Sequence, residues 1–477
     1  HPYHPGTPVQ VLGALALKSA YPWTDASAIT QAVLADPESH LRLISTFFIV
    51  LNTLGLLALG GVAYFVLGSP VFALILQTAP FLSKVILKNA YHVRPEALLV
   101  LTMLALSMVI LMALKTDSLG KNSNRFAVAF GVIAGFGVAV KITAAPLFLL
   151  PVFMLGNFRA LGLYGAVSFV SLVVFTLPIM GSYGVLFDWI VKNAQGSGDY
   201  GSGAQTVIDL ARYPKSFVKL LSRPLLHVPL LLSIIALAAA WRTRRAGKPV
   251  PDLETRFLGG YALAITAQVA LVAKQPVANY MVPAYMLSPL ALVALARFTA
   301  KIRPWRETTR AHGKKGLAAL LVLLLAASGL GAWKLNKGLK GKAEAAASVD
   351  DRLFGKCSRI FFFPASNRNF ALPLADWWTG GRFKAAVAAQ IGANDFWFEQ
   401  NTMELRDAYG PRDIKKIIET SACVYLRGGH GGPIRTYLRE NVPDFKYVSS
   451  CSTRDEIVMT SGVDCQGNLK ANDPGNR

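Results

Sequence analysis

A histidine, an arginine and a glutamate lie close together in the segment 92–96, between two apolar runs. The following run, 98–114, carries no charged residue at all. Ionisable groups beside apolar runs of membrane length are costly to place, and they are usually functional. Two interpretations stay open for His92, Arg94 and Glu96. They form a site that binds an anionic group, or they form an interfacial loop whose charges meet water.

Lone polar groups recur along the chain in similarly apolar surroundings. They are His1 and His4 in a proline-rich stretch, Lys141 between two short apolar runs, Lys274 and Tyr280 in one loop, and Asp188 beside Trp189. A lysine at a helix end can also extend to lipid headgroups without any other role, and for each lysine alone that interpretation stays open. Cations that converge on one side would instead bind a phosphate or diphosphate group.

The composition indicates an integral membrane protein. Of the 477 residues 53% are hydrophobic and only 16% are charged, well below the usual charged fraction of soluble domains. The net charge of +22 does not indicate a nucleic-acid partner, because residues 1–342 hold 32 basic and 11 acidic residues, mainly in short loops. Residues 343–477 are nearly neutral, with 17 basic and 16 acidic residues. Basic short loops report the orientation of a membrane protein rather than a polyanionic partner.

Ten apolar runs predict an all-α polytopic membrane domain. They are 41–67, 71–87, 96–114, 126–140, 143–156, 161–180, 224–240, 257–273, 281–296 and 316–333. Sixteen Lys and Arg residues fall in alternate loops, which predicts a cytoplasmic location for those loops. The basic loops are 115–125, 157–160, 241–256 and 297–315.

The segments 1–40, 92–96, 181–223 and 274–280 then lie on the opposite side, together with everything after Trp333. With both ends outside and no signal peptide visible, we expect an eleventh span upstream of His1. We predict a multi-pass protein of a bacterial cytoplasmic membrane, with its C-terminal domain in the periplasm.

The C-terminal part predicts a small extracytoplasmic α/β domain. Strand candidates at 359–363, 394–399, 422–426 and 445–449 are separated by helical candidates at 413–420 and 434–440. The predicted domains are a first extracytoplasmic loop with an interfacial helix at 1–40, a transmembrane domain at 41–333, a linker at 334–348 and the α/β domain at 349–477.

All four cysteines lie in this C-terminal domain. An even count in one polar domain predicts two disulfides in an oxidising compartment, with a zinc site as the rival interpretation. Cys357 and Cys423 begin two candidate neighbouring strands, whereas Cys451 and Cys465 bracket a hairpin-like run. Of three possible pairings we predict Cys357–Cys423 with Cys451–Cys465.

Four short motifs occur in order on the predicted outer side. They are His4-Pro5-Gly6, Arg94-Pro95-Glu96, the glycine-rich stretch 135–146 containing Lys141, and the stretch 274–283 containing Lys274 and Tyr280. Together they resemble the motifs of the C superfamily of membrane glycosyltransferases (GT-C), including its protein O-mannosyltransferase and aminoarabinose-transferase branches. The likeness covers about residues 1–300, and its specificity comes from the order and common side of the motifs.

The resemblance implies transfer of a sugar from a polyprenyl-phosphate donor to a glycan, lipid or protein acceptor on the outer face. We assign Arg94, Lys141 and Lys274 to the donor phosphate, with Glu96 orienting Arg94 or contacting sugar hydroxyls. The residues that would line the substrate cleft are His1, His4, His92 and Tyr280. The other predicted partners are membrane lipids, with no nucleic acid.

The general base of the family is an aspartate shortly before the His-Pro stretch. We expect this aspartate upstream of His1, because the nearest visible carboxylate, Asp25, lies on the other side of the motif. A divalent metal ion on His1, His4, His92 and Glu96 stays open as a cofactor, although their spacing fits no standard motif. The alternative functions are a non-catalytic subunit of a larger membrane assembly, and a transporter or flippase for a lipid-linked anionic solute.

Overall fold

The computed structural model describes residues 6–115, 118–195, 213–302, 307–447, 449–452 and 455–461. The α-helices in these ranges are α1 Thr7–Ala20, α2 Ala26–Ala35, α3 Pro37–Leu67, α4 Pro70–Thr78, α5 Lys84–Asn89, α6 Pro95–Leu114, α7 Ser118–Lys121, α8 Ser123–Val140, α9 Leu150–Leu155, α10 Phe158–Thr176, α11 Tyr183–Gln195, α12 Tyr213–Leu221, α13 Pro224–Arg245, α14 Asp252–Val272, α15 Val282–Ile302, α16 Glu307–Ala347, α17 Arg368–Trp378, α18 Lys384–Ala388, α19 Ile414–Thr420 and α20 Gly431–Asn441. Short 3₁₀ helices cover Ala79–Leu82, Ile142–Leu149, Leu177–Ser182, Ala278–Met281 and Asp351–Phe354. The strands are β1 Ser358–Phe362, β2 Asp395–Glu399, β3 Glu404–Asp407, β4 Gly410–Pro411, β5 Val424–Gly428, β6 Ser449–Ser452 and β7 Ile457–Ser461.

The chain forms two compact units. The helical unit comprises Pro2–Ala20 and Leu41–Trp333, and the sheet unit comprises Tyr21–His40 and Lys334–Arg477. The segment 1–40, predicted as one loop, is therefore divided between the two units. Its interfacial-helix candidate is α1, which buries Pro8, Val9 and Ala16.

Eight helices among the described residues are long and apolar enough to cross a membrane, by length and composition. These are Pro37–Leu67, Pro95–Leu114, Ser123–Val140, Phe158–Lys192, Pro224–Arg245, Asp252–Val272, Ala278–Ile302 and Ala318–Phe354. Each overlaps one of the ten apolar runs. The chain is therefore compatible with a multi-pass membrane protein, as its composition predicts.

The remaining two apolar runs, 71–87 and 143–156, form shorter and broken helices. Pro80 lies in the first turn of the 3₁₀ helix that separates α4 from α5. Pro146 lies inside the 3₁₀ helix Ile142–Leu149, and Pro151 begins the next helical turn. Proline removes a backbone donor and crowds the preceding turn, so a continuous α-helix does not form across these positions.

Hydrogen bonds between segments show which helix termini lie at the same end of the helical unit. At one end, which we call the Glu96 end, the Asn52 side chain in α3 donates to Ala97 O (3.1 Å), and Asn89 donates to Asn279 (3.2 Å). At the other end, which we call the Glu254 end, Arg297 in α15 donates to Leu114 O at 2.6 Å. A cavity at this second end is lined by residues in and beside the predicted cytoplasmic loops.

The sheet unit contains a seven-stranded mixed sheet in the order β4-β3-β2-β1-β5-β7-β6. The three central strands are parallel, with Ile360 opposite Phe396 on one side and Leu426 on the other. Apolar side chains cover both faces of these strands, so the central strands are buried. The outer strands pair antiparallel, and the small α/β fold agrees with the sequence prediction.

The strand predictions at 359–363, 394–399 and 422–426 are confirmed, as are both helix predictions. The prediction at 445–449 is wrong, because the strand there covers Ser449–Ser452 and pairs with β7 as a hairpin. Cys357 and Cys423 form the predicted disulfide, with their Cα atoms 4.7 Å apart. The side chain of Cys451 and the whole of Cys465 lie outside the described residues, so that pair stays a prediction.

Candidate functional site

A buried ion pair joins Glu96 to Lys141 at the Glu96 end. The Lys141 Nζ donates to Glu96 Oε1 at 2.5 Å, and the two side chains are 7% and 5% exposed. A buried carboxylate needs a cation or hydrogen-bond donors to offset its loss of hydration. The sequence offered two roles for Glu96, orienting Arg94 or contacting sugar hydroxyls. The structure pairs Glu96 with Lys141 and leaves Arg94 exposed.

Helix ends place both members of the pair. Arg94 is the extended N-cap of α6 and Pro95 occupies its first position, which is a favoured start for a helix. Glu96 thus lies in the first turn, where the helix dipole favours a negative charge. Lys141 follows the last turn of α8 and donates its backbone N–H to Gly137 O at 2.9 Å, where a positive charge is favoured.

Glycines bring α8 close to its neighbours and so fix the position of Lys141. A Cβ on Gly135 would lie 2.5 Å from Ser168 O in α10, and one on Gly137 would lie 2.2 Å from the Phe148 ring. Such contacts are too short for real side chains, so these positions accept only glycine without rearrangement. Small residues of this kind allow close packing between helices in membranes.

Tyr280 and Gln268 continue the site on the other side of Lys141. The Lys141 Nζ lies 4.4 Å from the centroid of the Tyr280 ring, which is within the range of a cation–π interaction. The Gln268 side chain donates to Tyr280 O at 2.9 Å and is fully buried. The structure therefore brings together three of the predicted site residues: Glu96, Lys141 and Tyr280.

Several buried polar atoms in the segments at the Glu96 end have no hydrogen-bond partner within the described residues. They are Thr7 Oγ1, Asn52 Oδ1, Asn89 Oδ1, Tyr91 Oη, His92 Nε2, Thr143 Oγ1 and Gln268 Oε1. Buried polar groups in proteins are nearly always paired, so a concentration of unpaired ones calls for water or a ligand. This group combines donors and acceptors, which suits a ligand rich in hydroxyl or phosphate oxygens.

His92 lies beside the pair in the loop between α5 and α6. Its ring stacks on Tyr91 with 4.5 Å between the centroids. Burial, with the positive charge of Arg94, lowers the pKa of His92 below its ordinary value. The imidazole is therefore predominantly neutral near pH 7, with one nitrogen able to donate and the other able to accept a hydrogen bond.

Lys274 is engaged elsewhere in the same unit. Its ammonium group donates to Ala194 O near the end of α11. Burial lowers the pKa of Lys274, although the residue stays charged at neutral pH in view of its high ordinary value. The structure thus gives Lys274 a backbone partner on α11, and its assignment to the same phosphate as Lys141 stays a prediction.

Three other sequence hypotheses have different outcomes. Asp188 forms an exposed ion pair with Lys192 one helical turn away, at 2.7 Å, which is typical of a solvated helix surface. His1 and His4 lie outside the described residues, so their roles and the metal hypothesis that uses them stay predictions. Within the described ranges, no three His, Cys, Asp or Glu side chains are grouped as metal ligands would be.

The sequence interpretation missed the amide side chains of the site. Asn52, Asn89 and Gln268 are buried and contribute to the hydrogen bonds between segments. Each is a lone amide within or at the end of an apolar run. A polar residue inside a membrane-length apolar segment indicates a function or a partner, and this signal could have found all three.

The arrangement can stabilise a concentrated negative charge in a space shielded from water. An ammonium has three donors, and Lys141 uses one of them on Glu96. Comparison of this chain with protein-family models, with curated proteins and with solved structures gives no match. The interpretation of the site therefore rests on its geometry and on the motifs of the sequence.

Proposed function

We propose that this chain is a multi-pass membrane glycosyltransferase of the GT-C type, which transfers a sugar from a polyprenyl-phosphate-linked donor. The single observation that supports this most is the buried Glu96–Lys141 pair, at an end of the helical unit where buried polar atoms have no hydrogen-bond partner among the described residues. The pair lies within the two motifs that resemble the acidic and glycine-rich motifs of the superfamily. The acceptor, whether glycan, lipid or protein, reaches the same end of the unit.

Ten membrane crossings fit the connectivity, including the two broken segments. Lys141 lies at the Glu96 end, whereas Leu155 lines the cavity at the Glu254 end. The 14 residues of Ile142–Leu155 combine 3₁₀ and α geometry and extend ~25 Å, close to the thickness of the hydrocarbon core. We place the Glu254 end in the cytoplasm, since its loops are the basic ones, and the sheet unit in the periplasm.

In the proposed reaction the acceptor oxygen forms a bond to the anomeric carbon of the sugar. The bond from that carbon to the phosphate oxygen breaks, and the lipid phosphate leaves with the electron pair. Lys141 stabilises the added negative charge through its remaining donors, most strongly where water is excluded. Glu96 holds the ammonium in place, and the proton of the acceptor hydroxyl passes to a general base, for which the resemblance implies an aspartate.

His92 and the buried amides would hold the sugar and the acceptor. A neutral imidazole can both donate to and accept from hydroxyl groups, and the unpaired amide oxygens can accept from them. Tyr280 would shield the ammonium from water while leaving it charged. Arg94, exposed at the start of α6, would meet the phosphate from the bulk side.

Binding of a polyprenyl phosphate to the purified full-length protein in detergent tests the proposal. We expect saturable binding by the wild type, and at least about tenfold weaker binding by Lys141→Met, because a charge-assisted contact is lost. The matched control is Lys88→Met, which removes an exposed lysine from α5 and should change binding less than about twofold.

Equal affinity of the wild type and Lys141→Met for the lipid phosphate would contradict the assignment. Transport of the lipid-linked sugar without transfer would favour the flippase alternative. A wild type that binds no polyprenyl phosphate would favour the non-catalytic subunit.

A further inference from the structure

A second polar cavity lies at the Glu254 end of the helical unit, opposite to the Glu96–Lys141 pair. It has a volume of about 520 Å³ and lies among α6, α7, α9, α14 and α15. Lys115, Arg256, Arg297 and Lys301 supply four cations to its lining, against the carboxylates of Asp252 and Glu254. The lining thus carries an excess of positive charge, and the transfer reaction proposed above does not use it.

Hydrogen bonds and ion pairs with the protein fix the positions of three of these cations, and the Lys115 ammonium lies over the Phe65 ring. Glu254, which is 1% exposed, accepts from Lys301 at 2.7 Å and from Arg297 at 3.4 Å. Arg297 also donates to Leu114 O at 2.6 Å, and Arg256 donates to Phe153 O at 3.0 Å. Arg256, Arg297 and Lys301 are thus held in place before any ligand arrives, which lowers the entropic cost of binding.

The cavity lining also includes a residue with an unsatisfied acceptor, together with apolar walls. Glu254 Oε2 is buried and has no hydrogen-bond partner in the part of the chain that the structure describes. Leucines at 114, 119, 155 and 253 line the same cavity. Cations, an acceptor and apolar walls together suit an amphiphile that carries a phosphate and a hydrogen-bond donor.

We propose that this cavity binds the phosphodiester headgroup of a membrane phospholipid whose headgroup carries a hydroxyl or ammonium donor. Lys115 and Arg256 contact the phosphate oxygens, and the headgroup donor reaches the Glu254 carboxylate. Basic pockets between membrane helices on the cytoplasmic side are suited to anionic headgroups, because the positive charges and the phosphates lie at the same depth. The bound lipid would hold α6 and α14 together at this end.

The test uses full-length protein in detergent, titrated with phosphatidylglycerol, which has a phosphodiester and hydroxyl donors. We expect the Arg256→Gln/Lys115→Gln variant to bind it about tenfold or more weakly than the wild type, because each cation near a headgroup contributes about 1 kcal/mol. The control Arg242→Gln removes an exposed arginine near the same end and should change the affinity by less than about twofold.

Lys115→Gln alone provides a milder variant in case loss of the Arg256 contact to Phe153 O prevents folding. About fivefold weaker binding is expected for it. Phosphatidylcholine has no donor in its headgroup, and inorganic phosphate has no lipid chain, so each should bind at least about tenfold more weakly than phosphatidylglycerol.

Three outcomes would overturn the proposal. Equal binding of phosphatidylcholine would remove the role of the headgroup donor. Equal binding of inorganic phosphate would mean that the cavity takes free phosphate. Equal losses of affinity in Arg242→Gln and in the cavity variants would mean that binding depends on general surface charge and not on this cavity.

Discussion

Two buried ion pairs, one in each unit, differ in how completely their polar atoms are satisfied. In the sheet unit Arg427 is 2% exposed and donates to Glu456 at 2.7 Å, to Asp351 at 2.8 Å and to Ala346 O at 3.1 Å. In the helical unit Lys141 has one anionic partner within the described ranges, Glu96, and the segments at the same end contain unpaired polar atoms. A saturated network stabilises a fold, whereas an unsaturated one at the same burial is suited to a ligand.

The Arg427 network extends through the base of the sheet unit. Asp351 also accepts from the Tyr425 hydroxyl and from Asn367, and Glu456 accepts from the backbone N–H of Ser366. Burial opposes the charge on Arg427, but Asp351 and Glu456 outweigh it and raise its pKa. Burial and the charge of Asp351 also raise the pKa of Tyr425, so both groups keep one protonation state across the physiological range.

Removal of the cation from the saturated network should have the largest effect on stability. We expect Arg427→Met to lower the free energy of unfolding of the sheet unit by about 3–5 kcal/mol, because Asp351 and Glu456 then stay buried without their counter-charge. Chemical denaturation of the full-length protein measures this loss of stability, and proteolysis within 349–461 detects the unfolding of the sheet unit. The control Arg439→Met removes an exposed arginine of α20 and should cost less than about 0.5 kcal/mol. Equal sensitivity of both variants would contradict the role of the network.

The disulfide should contribute the next largest amount to the same unit. Replacement of both Cys357 and Cys423 by alanine opens a link between residues 66 apart in sequence. We expect a loss of about 2–4 kcal/mol in the free energy of unfolding of the sheet unit, measured by the same denaturation. Polyprenyl-phosphate binding should stay within about twofold of the wild type. A parallel loss of binding would mean that the sheet unit takes part in the lipid site.

Variants of the Glu96–Lys141 pair test whether the buried Glu96 carboxylate depends on its cation. Lys141→Met leaves the Glu96 carboxylate buried without its cation, whereas Lys141→Met/Glu96→Gln leaves two neutral groups. We therefore expect the double variant to be more stable than the single variant by about 1–3 kcal/mol, measured by thermal or chemical unfolding in detergent. Equal stability of the single and the double variant would mean that the Glu96 carboxylate does not depend on the charge of Lys141.

The smallest effect concerns pH and His92. Its folded-state pKa is lowered, so the unfolded chain binds a proton more readily than the folded chain. His92 therefore contributes stability above its unfolded pKa of about 6.5, and this contribution is lost as the pH falls through the folded value. Stability measured from pH 8 to pH 5 should fall less steeply for His92→Gln than for the wild type. Identical slopes would contradict the burial of this imidazole.

The sequence was informative where a local pattern determines the structure. Long apolar runs predict the helices, and alternation of short strands with helices predicts the sheet unit around β1 and β5. The Cys357–Cys423 pair followed from two neighbouring strands. Prolines 80, 146 and 151 shorten two of the predicted spans, and this was visible in the sequence because proline disfavours helix interiors.

Contacts between segments that are distant in the chain were harder to predict from the sequence. The partner of Glu96 is 45 residues away, whereas Arg94, which the sequence favoured, lies two positions away and on the solvent side. Arg427 is the penultimate residue of the buried strand β5, and nothing local in the sequence shows that its guanidinium contacts Glu456. Pairing of this kind depends on how helices and strands pack, which spacing along the chain does not encode.

The role of Lys141 is tested by sugar transfer in proteoliposomes that contain the full-length protein, a polyprenyl-phosphate-linked sugar donor and an acceptor with a free hydroxyl group. The rate of polyprenyl-phosphate release is measured by single-turnover kinetics for the wild type, for Lys141→Met and for the control Lys88→Met. We predict release by the wild type and by the control. For a Lys141→Met protein that still folds, we predict a release rate about 10²–10³-fold lower, because the negative charge of the leaving phosphate loses its stabilising cation. Equal release by the wild type and a folded Lys141→Met protein would contradict the account.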